Sequence, residues 1–194
     1  NFKEALELLK SDNVTPLHVE SKGFDCPSYK LDKEYFVNTK YEEDFLDVKG
    51  QEVAKRATLI SAAGFHNILL EGSPGCGKSM IASRLRYILP PLSEAEILDV
   101  AKLESLEAKE PSFKPLRNFC SPHHTSTSAS IFGGGSHKAK IGEVGLANGG
   151  ILFFDELPHF SKNVLEALRE PLQDGKIKIS RVNSKVEYPA DFLF

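Results

Sequence analysis

The sequence has few cysteines, no long apolar run and no leader pattern. Its three cysteines, Cys26, Cys76 and Cys120, lie far apart and are odd in number, which argues against a disulfide scaffold and for a reducing compartment. The longest apolar stretches, 68–70 and 151–154, are far shorter than the roughly 18 residues of a membrane span. Residues 1–10 lack the basic start, apolar core and cleavage site of a signal peptide. We therefore expect a cytoplasmic protein with no membrane segment.

Two stretches of the chain each combine four bases with an absence of acidic residues, and we call them the basic segments. Residues 1–52 hold a net charge of −5, whereas residues 111–142 contain four bases and no carboxylate. Residues 175–186 also lack carboxylates, and they contain Lys176, Lys178, Arg181 and Lys185. Because local fields select charged partners more than the total charge does, these two stretches are where an anionic partner is expected to bind.

Length and hydrophobic spacing predict one α/β domain with an N-terminal extension. The chain has 194 residues, of which 41% are hydrophobic and 26% are charged, as is typical of a folded globular protein. We expect a lead-in helix over residues 2–9, a linker with short strands up to residue 44, and a compact core over residues 45–194.

Apolar spacing within the core predicts helices that alternate with short buried strands. The expected helices cover residues 53–63, 80–88, 93–108 and 161–172. Gly64 ends the first, Ser93 and Glu96 form a capping box for the third, and Ser161 caps the fourth. Parallel strands are expected at 67–70, 151–154 and 190–194, and a hairpin over 176–188. Residues 111–150 are predicted to be an irregular loop whose length indicates a function. The result is a three-layer architecture with a parallel sheet.

The strongest motif is GSPGCGKS at residues 72–79, which matches GxxxxGK[ST] between a buried strand and an amphipathic helix. Glycines in such a loop let backbone N–H groups converge on phosphates, and the helix adds its positive N-terminal end. Lys78 would neutralise the β and γ phosphates, and the Ser79 hydroxyl would bind Mg²⁺. A turn that needs glycine only for steric reasons is the competing interpretation. The context favours a Walker A loop that binds ATP.

Two carboxylates, Asp155 and Glu156, follow the second apolar strand. A buried parallel strand delivers its C-terminal residues to the ligand crevice of an open α/β sheet. There Asp155 can bind Mg²⁺ through water, and Glu156 can accept a proton from the water that attacks the γ-phosphate. A strand end with solvated acids is the alternative. The nearby phosphate loop favours a Walker B strand and ATP hydrolysis.

Five motifs occur in a fixed order: DVKGQ at 47–51, the loop at 72–79, SPHHT at 121–125, GGG at 133–135 and ILFFDELP at 151–158. Together they resemble the magnesium-chelatase-like AAA+ ATPases, and most closely the ComM (YifB) branch of that family. LREPLQDG at 168–175 and ISR at 179–181 extend the resemblance, which covers about residues 45–194.

This resemblance implies a P-loop NTPase (AAA+) core that uses ATP and Mg²⁺, and a full-length protein that assembles into a homo-hexameric ring. It places adenine near residues 48–51. The nucleotide contacts it implies are Val48, Gly50, Gln51, Ser73, Pro74, Gly75, Cys76, Gly77, Lys78, Ser79 and Met80. It also implies Ser79 and Asp155 as metal ligands, with Lys78 and Glu156 in catalysis. ComM-like members act as DNA motors that drive branch migration in natural transformation, so a helicase-like activity is expected.

The resemblance further implies insert loops that face the central pore, at residues 126–145 and 176–185. The two basic segments described above fall there, as contact with a threaded polyanion would require. A solvated basic face is the alternative, because cations in a hairpin commonly face only water. The candidate DNA contacts are Lys138, Lys140, Lys176, Lys178, Arg181 and Lys185.

The chain departs from the family pattern at both ends. ComM-like proteins carry an N-terminal Lon-protease-like domain, and the family continues past the third strand with a sensor asparagine, an arginine finger and a helical lid. We therefore expect a core that is truncated before the lid, binds nucleotide, hydrolyses it slowly and is monomeric.

Two other functions stay open at this level. One is a magnesium-chelatase-type ATPase that remodels a protein partner, and the other is a nucleotide-binding assembly module with little hydrolysis. A small-molecule kinase is disfavoured, because paired acids at the strand end suit water activation.

Histidine and cysteine offer weaker candidates. His123 and His124 follow Cys120, but adjacent side chains of an extended segment point to opposite faces, so local roles are favoured over zinc binding. His159 is interpreted as a surface residue. Cys76 is interpreted as a tolerated small residue, with oxidation that blocks nucleotide binding as the alternative.

Overall fold

A computed structural model describes most of the chain from residue 28 onward. The described residues are 28–31, 34–37, 40–106, 111–134, 140–180 and 185–194. The helix predicted over residues 2–9 lies outside them and stays a prediction. None of the described helices is both long and apolar enough to cross a membrane.

The regular elements of the described residues alternate between short strands and helices. The helices are α1 (Glu52–Gly64), α2 (Lys78–Leu85), α3 (Glu94–Leu106), α4 (Ser128–Phe132), α5 (Glu143–Leu146), α6 (Lys162–Ala167) and α7 (Arg169–Asp174). The strands are β1 (Ser28–Leu31), β2 (Glu34–Val37), β3 (Phe119–Cys120), β4 (Gly133–Gly134), β5 (Lys140–Ile141), β6 (Ile151–Leu152), β7 (Lys176–Ser180) and β8 (Lys185–Pro189). Short 3₁₀ turns cover Phe45–Asp47 and Leu157–His159.

Extended segments lie side by side at the centre of the core. β3 pairs with β6 in parallel. On the other side of β6, Ile151 forms a parallel bridge with Leu193. Next to that segment, Ile68 donates its N–H to the carbonyl of Phe194 at 2.9 Å. The three segments predicted as buried strands are therefore neighbours, and the predicted α/β architecture with a parallel sheet is confirmed.

The regular ladders are shorter than the sequence predicts. Of residues 151–154, only Ile151–Leu152 forms a strand. Residues 190–194 form a single bridge, at Leu193. Among the described residues, 67–70 form no regular strand, although their backbone is hydrogen-bonded to Phe194. β3 lies in the stretch that was predicted as loop. Its two residues are too few to produce an alternating or continuous apolar pattern, which is why the sequence analysis missed it.

Successive residues of β6 enter the core on opposite sides, as the pleat of a strand requires. Ile151 lies in a cluster with Ala62 of α1 and Leu85 of α2. Leu152, which is fully buried, lies in a cluster with Val164 of α6 and with residues of α4, α5 and β7. Helices thus cover both faces of the sheet, which is the predicted three-layer arrangement.

Local signals account for the longer helices. α1 ends at Gly64, and Phe65 caps it with a left-handed φ of 51°. At the start of α3, the Ser93 N–H donates to the Glu96 carboxylate at 2.8 Å and the Glu96 N–H donates to the Ser93 hydroxyl at 3.4 Å. This reciprocal pair is the predicted capping box.

Two further predictions need correction. Residues 111–150 contain β3, α4, α5 and the antiparallel hairpin β4–β5, rather than an irregular loop. The elements there have two to five residues each, too few for a periodic pattern. The helix predicted over 161–172 is divided into α6 and α7, although Ser161 caps it as expected. Pro171 in α7 has no backbone N–H to donate, which is consistent with the break.

Two antiparallel hairpins lie at the ends of the described chain. β7 pairs with β8 from Lys176 opposite Pro189 to Ser180 opposite Lys185, as predicted, and the connecting residues 181–184 lie outside the described part. β1 pairs with β2 within the predicted linker. Phe36 of β2 also forms an antiparallel bridge with Ser93 at the start of α3. The boundary at residue 45 stays a prediction.

Candidate nucleotide-binding site

A glycine-rich loop connects residues 67–70 to α2. Gly75 and Gly77 have φ values of +76° and +90°, a left-handed conformation that only glycine adopts at little cost. Gly77 directly precedes the first residue of α2, Lys78. The loop therefore ends at a helix N-terminus, where backbone N–H groups and the helix dipole favour a bound anion.

The Lys78 side chain folds back over this loop. Its ammonium group donates to the carbonyl oxygens of Gly72 and Ser73, both at 2.9 Å, and lies 3.7 Å from the Cys76 sulfur. The lysine ammonium has three N–H donors, so it can donate to phosphate oxygens in place of these carbonyl oxygens while the helix stays where it is. The position suits the predicted role in neutralising phosphate charge.

The phosphate loop and the acidic strand end meet directly. Ser79, in the first turn of α2, donates its hydroxyl to Asp155 Oδ2 at 3.0 Å across 76 residues of sequence. The second carboxylate oxygen of Asp155 accepts the N–H of Glu156 at 3.0 Å. A hydroxyl and a carboxylate at this separation form a hard-oxygen pair of the kind that Mg²⁺ selects.

Glu156 lies at the bend where the chain leaves the sheet. It has a left-handed backbone with φ 54° and ψ 50°, and the 3₁₀ turn Leu157–His159 follows it immediately. Its side chain is 63% exposed, and its carboxylate lies 3.4 Å from Nδ1 of His159. A left-handed non-glycine residue is strained, and such strain is common where a side chain must be aimed at a ligand.

These groups border one cleft of about 880 Å³. Of the predicted nucleotide and metal contacts, the cleft is lined by Pro74, Gly75, Gly77, Lys78, Ser79, Met80, Asp155 and Glu156. Ser73 and Cys76 belong to the same loop but do not line the cleft. The structure thus brings most of the predicted phosphate and metal contacts together.

The predicted adenine segment lies beside the loop rather than in the cleft. Val48 is 4% exposed and packs in a cluster with Ile81 of α2, so its side chain belongs to the core. Gly50 and Gln51 have successive left-handed φ values of 66° and 57°. The Gln51 side-chain amide donates to the carbonyl of Cys76 at 3.4 Å, which ties this segment to the phosphate loop. Its contact with adenine stays a prediction.

An ion pair anchors the same segment to α2. Arg84 Nε lies 3.0 Å from Asp47 Oδ2. The backbone N–H of Asp44, together with the guanidinium of Arg84, lowers the pKa of the Asp47 carboxyl. Residues 45–51 and the helix that follows the phosphate loop are therefore coupled by charge as well as by packing.

The predicted DNA contacts have mixed surroundings. Lys140 is exposed at the start of β5. Lys176 and Lys178 are more than half exposed, but they lie 2.7 Å from Glu187 and 3.6 Å from Glu170, respectively. The hydrogen bond between Lys176 and Glu187 raises the pKa of the lysine and lowers that of the glutamate. Acids from β8 and α7 thus face two bases of a segment that has no acid in its own sequence.

The other three DNA candidates are described less completely. Lys138 and Arg181 lie outside the described residues, and for Lys185 only the backbone is described, in β8. Their role stays a prediction.

Two histidines lie at the site although the sequence did not assign them to it: His124 was expected to have a local role, and His159 was interpreted as a surface residue and is indeed exposed. His159 lies beside Glu156, and the ring of His124 lies 5.7 Å from that of His159. The spacing Glu-x-x-His at 156–159 is a signal that could have indicated the first pair. No local pattern indicates that His124 lies near Glu156, because His124 belongs to a segment more than thirty residues earlier in the sequence.

Comparison with known proteins identifies the family. Residues 44–194 match the family described as magnesium chelatase, subunit ChlI. The chain belongs to this family. That membership confirms the resemblance inferred from the five motifs.

Individual members of the magnesium chelatase family match at high identity. The chain is 47% identical over 151 residues to Competence protein ComM of Haemophilus influenzae, and 50% identical over 151 residues to a Salmonella typhimurium protein named YifB. Each alignment covers 77% of this chain and 30% of the relative. The chain therefore spans about 30% of the length of these curated relatives.

Solved structures share the fold. A structure of the BchI–BchD complex of magnesium chelatase matches with a TM-score of 0.59 and 21% identity, covering 77% of this chain and 52% of that chain. NtrX of Brucella abortus in complex with ADP matches with a TM-score of 0.51 and 18% identity, covering 77% of this chain and 30% of that chain. At these identities the likeness establishes the fold alone, and the predicted AAA+ P-loop fold is confirmed.

Proposed function

We propose that this chain binds Mg-ATP in the cleft and hydrolyses it, as the cytoplasmic ATPase core of a larger hexameric protein. The observation that carries the proposal is the 3.0 Å hydrogen bond from the Ser79 hydroxyl to the Asp155 carboxylate. It joins the two motifs that the sequence assigns to phosphate and metal, and it does so at the N-terminus of α2, where an anion is favoured.

The donor set fits Mg²⁺. Ser79 and Asp155 offer a hydroxyl and a carboxylate oxygen, and this ion usually takes one or two protein oxygens together with phosphate oxygens and water. When bound, the ion neutralises charge on the β and γ phosphates.

The remaining groups of the cleft would act on the phosphates and on water. Lys78 exchanges its two carbonyl partners for phosphate oxygens, and loop N–H groups add to the positive potential. Glu156 accepts a proton from a water whose oxygen bonds to the γ-phosphorus while the bond to the β,γ-bridging oxygen breaks. ADP leaves with the electron pair of that bond.

The decisive test compares the wild-type chain with Glu156→Gln for Mg-ATP affinity and ATP turnover. We expect the variant to keep its affinity and to lose roughly 10²–10⁴-fold in turnover, the usual contribution of a positioned base. Glu166→Gln serves as the control, because Glu166 is exposed, pairs with Lys162 and does not line the cleft. Failure of the wild-type chain to bind Mg-ATP would contradict the proposal.

We further propose that the whole protein uses ATP hydrolysis to move along DNA. Three observations support this: a relative at 47% identity is named for competence, Lys140 is exposed, and the β7–β8 hairpin carries two exposed lysines. Turnover should therefore rise when single-stranded, duplex or branched DNA is added, and Glu156→Gln should abolish the increase. Unchanged turnover with all three forms would contradict a DNA substrate.

A second candidate is an ATPase that remodels a protein partner. The ion pairs of Lys176 and Lys178 favour it, because they neutralise two bases that a DNA contact would need free. Under this alternative DNA leaves turnover unchanged, whereas a protein partner stimulates it. Binding without any turnover would instead indicate a nucleotide-binding assembly module.

A further inference from the structure

Two histidines flank the Glu156 carboxylate at the edge of the cleft. Ligand atoms of His124, Glu156 and His159 all lie within 4.8 Å of one another. Within the cluster, His159 Nδ1 lies 3.4 Å from a Glu156 carboxylate oxygen. The two imidazole rings meet edge to face, with centroids 5.7 Å apart and planes at 87°. Two histidine nitrogens and one carboxylate oxygen, from two segments of the chain, thus lie close together.

The backbone holds this cluster in place. His159 donates its N–H to the carbonyl of Glu156 at 2.8 Å, so both side chains project from one 3₁₀ turn. Pro158 restricts φ within that turn. The ring of His124 packs edge to face against Phe160, which is itself 5% exposed.

The neighbouring His123 packs its ring against that of His124, with centroids 4.1 Å apart, but hydrogen-bonds within its own turn. Nδ1 of His123 lies 2.8 Å from the Thr125 hydroxyl and accepts the Thr125 N–H at 3.3 Å. His123 therefore stabilises its own turn. His124 is the member of the pair that contributes to the cluster.

The chemistry of the cluster differs from that of the magnesium pair. Two imidazoles and a carboxylate form the His₂Glu set found in zinc sites, where ligand distances are about 2.0–2.2 Å. Imidazole suits zinc and similar transition metals, whereas Mg²⁺ prefers oxygen. Asp155 is directed at Ser79 and Glu156 at His159, so the two adjacent carboxylates face different sets of ligands.

We propose that His124, Glu156 and His159 bind Zn²⁺, and that the bound ion inhibits ATP hydrolysis by occupying the Glu156 carboxylate. The binding half stands on the geometry alone. The inhibitory half rests on the proposed function, because a carboxylate that ligates zinc cannot accept a proton from the attacking water.

The binding half is tested by isothermal titration calorimetry of Zn²⁺ into the nucleotide-free chain, with Mg²⁺ in excess. We expect one site per chain, weakened at least about tenfold in His124→Gln and in His159→Gln. His66→Gln is the matched control, because His66 is exposed and does not line the cleft. Zinc affinity that is unchanged in both cluster variants would overturn the site and point to ligands elsewhere, such as the cysteines. Thermal unfolding of each variant checks that its fold is intact.

The inhibitory half is tested by ATP turnover with and without Zn²⁺, each variant being compared with its own zinc-free rate. Zinc should lower wild-type turnover at least about tenfold and change the rate of His159→Gln less than about twofold. Equal inhibition of both proteins would overturn this half. A wild-type chain that shows no turnover even without zinc contradicts the proposed function and also removes the inhibitory half, while the calorimetric result still decides the site.

Discussion

The cleft and the β7–β8 hairpin carry charge in different ways. In the cleft, Lys78 and Ser79 begin α2, whereas Asp155 follows β6. Lys78 is hydrogen-bonded to backbone carbonyls, and Ser79 is hydrogen-bonded to Asp155. In the hairpin, Lys176 and Lys178 project from a locally paired strand and meet acids across the surface. The cleft holds its charges in a concave site beside a helix terminus, whereas the hairpin exposes them to water.

This difference shows what a sequence motif and a charge count each encode. A phosphate loop specifies backbone geometry through its glycines, so its polar groups are placed wherever the loop forms. A run of bases specifies only charge, and the neighbours that offset this charge come from other elements. Exposed ion pairs of this kind contribute little, about 0–1 kcal/mol each. The cleft should therefore be far more sensitive to single substitutions than the hairpin.

The largest effect is expected in the core beneath the cleft. Leu152→Ala removes a fully buried side chain of β6 and should lower the free energy of unfolding by about 2–5 kcal/mol. Leu98→Ala, on the exposed side of α3, should change it by less than about 0.5 kcal/mol. Chemical denaturation measures both. If Leu152→Ala lowered the free energy of unfolding no more than Leu98→Ala, the central position of β6 in the core would be contradicted.

Within the cleft, Lys78→Ala should weaken Mg-ATP binding roughly 100-fold. The ammonium supplies charge-assisted hydrogen bonds, which contribute about 1.5–3 kcal/mol when the partner is charged. Lys102→Ala is the control, because that lysine is exposed on α3 and pairs with Asp99. Calorimetric titration with Mg-ATP measures the affinity of each variant. Equal affinities of both variants would mean that the loop does not hold the phosphates.

On the hairpin, removing the two acids that pair with the lysines should increase the affinity for DNA. The double variant Glu170→Gln with Glu187→Gln leaves Lys176 and Lys178 without their carboxylate partners, and should raise DNA affinity roughly threefold or more. Fluorescence anisotropy with a labelled duplex at two salt concentrations measures this, with Glu166→Gln as the control for a lost surface acid. An increase of the same size in the control would assign the effect to net charge alone.

The smallest effect is the pH dependence of the hairpin pair. The hydrogen bond with Lys176 lowers the pKa of the Glu187 carboxyl, so the pair stabilises the folded state above the ordinary carboxyl pKa of 4.5. This contribution is lost as the pH falls through the lowered pKa. A carboxyl NMR titration should therefore give Glu187 a midpoint below 4.5, and Lys176→Ala should move it upward. A midpoint that is the same in both proteins would exclude the ion pair in solution.

The sequence predicted the phosphate loop, the capping box at Ser93 and the three longest helices, because each depends on neighbouring residues. The glycines of the loop need no distant partner to adopt their φ values. Likewise, the capping box closes within one helical turn. For the loop and the capping box, the local prediction and the structure agree.

What the sequence could not predict depends on contacts between distant segments. β3 is a strand only because β6 lies beside it, and its two residues carry no pattern of their own. The pairing of Lys178 with Glu170 crosses from a strand to a helix. His124 reaches Glu156 only because the turn after β3 ends near the turn after β6. Tertiary structure supplies these relations, and a single sequence does not record them.

The bridge between β2 and the start of α3 affects which residue a shorter expressed domain should begin with. The family match begins at residue 44, which invites expression of a shorter domain from that point. Such a cut would remove Phe36, whose backbone pairs with Ser93, the buried residue that also caps α3. A minimal domain intended to keep the start of α3 intact should therefore retain the β1–β2 hairpin, even though the family match does not include it.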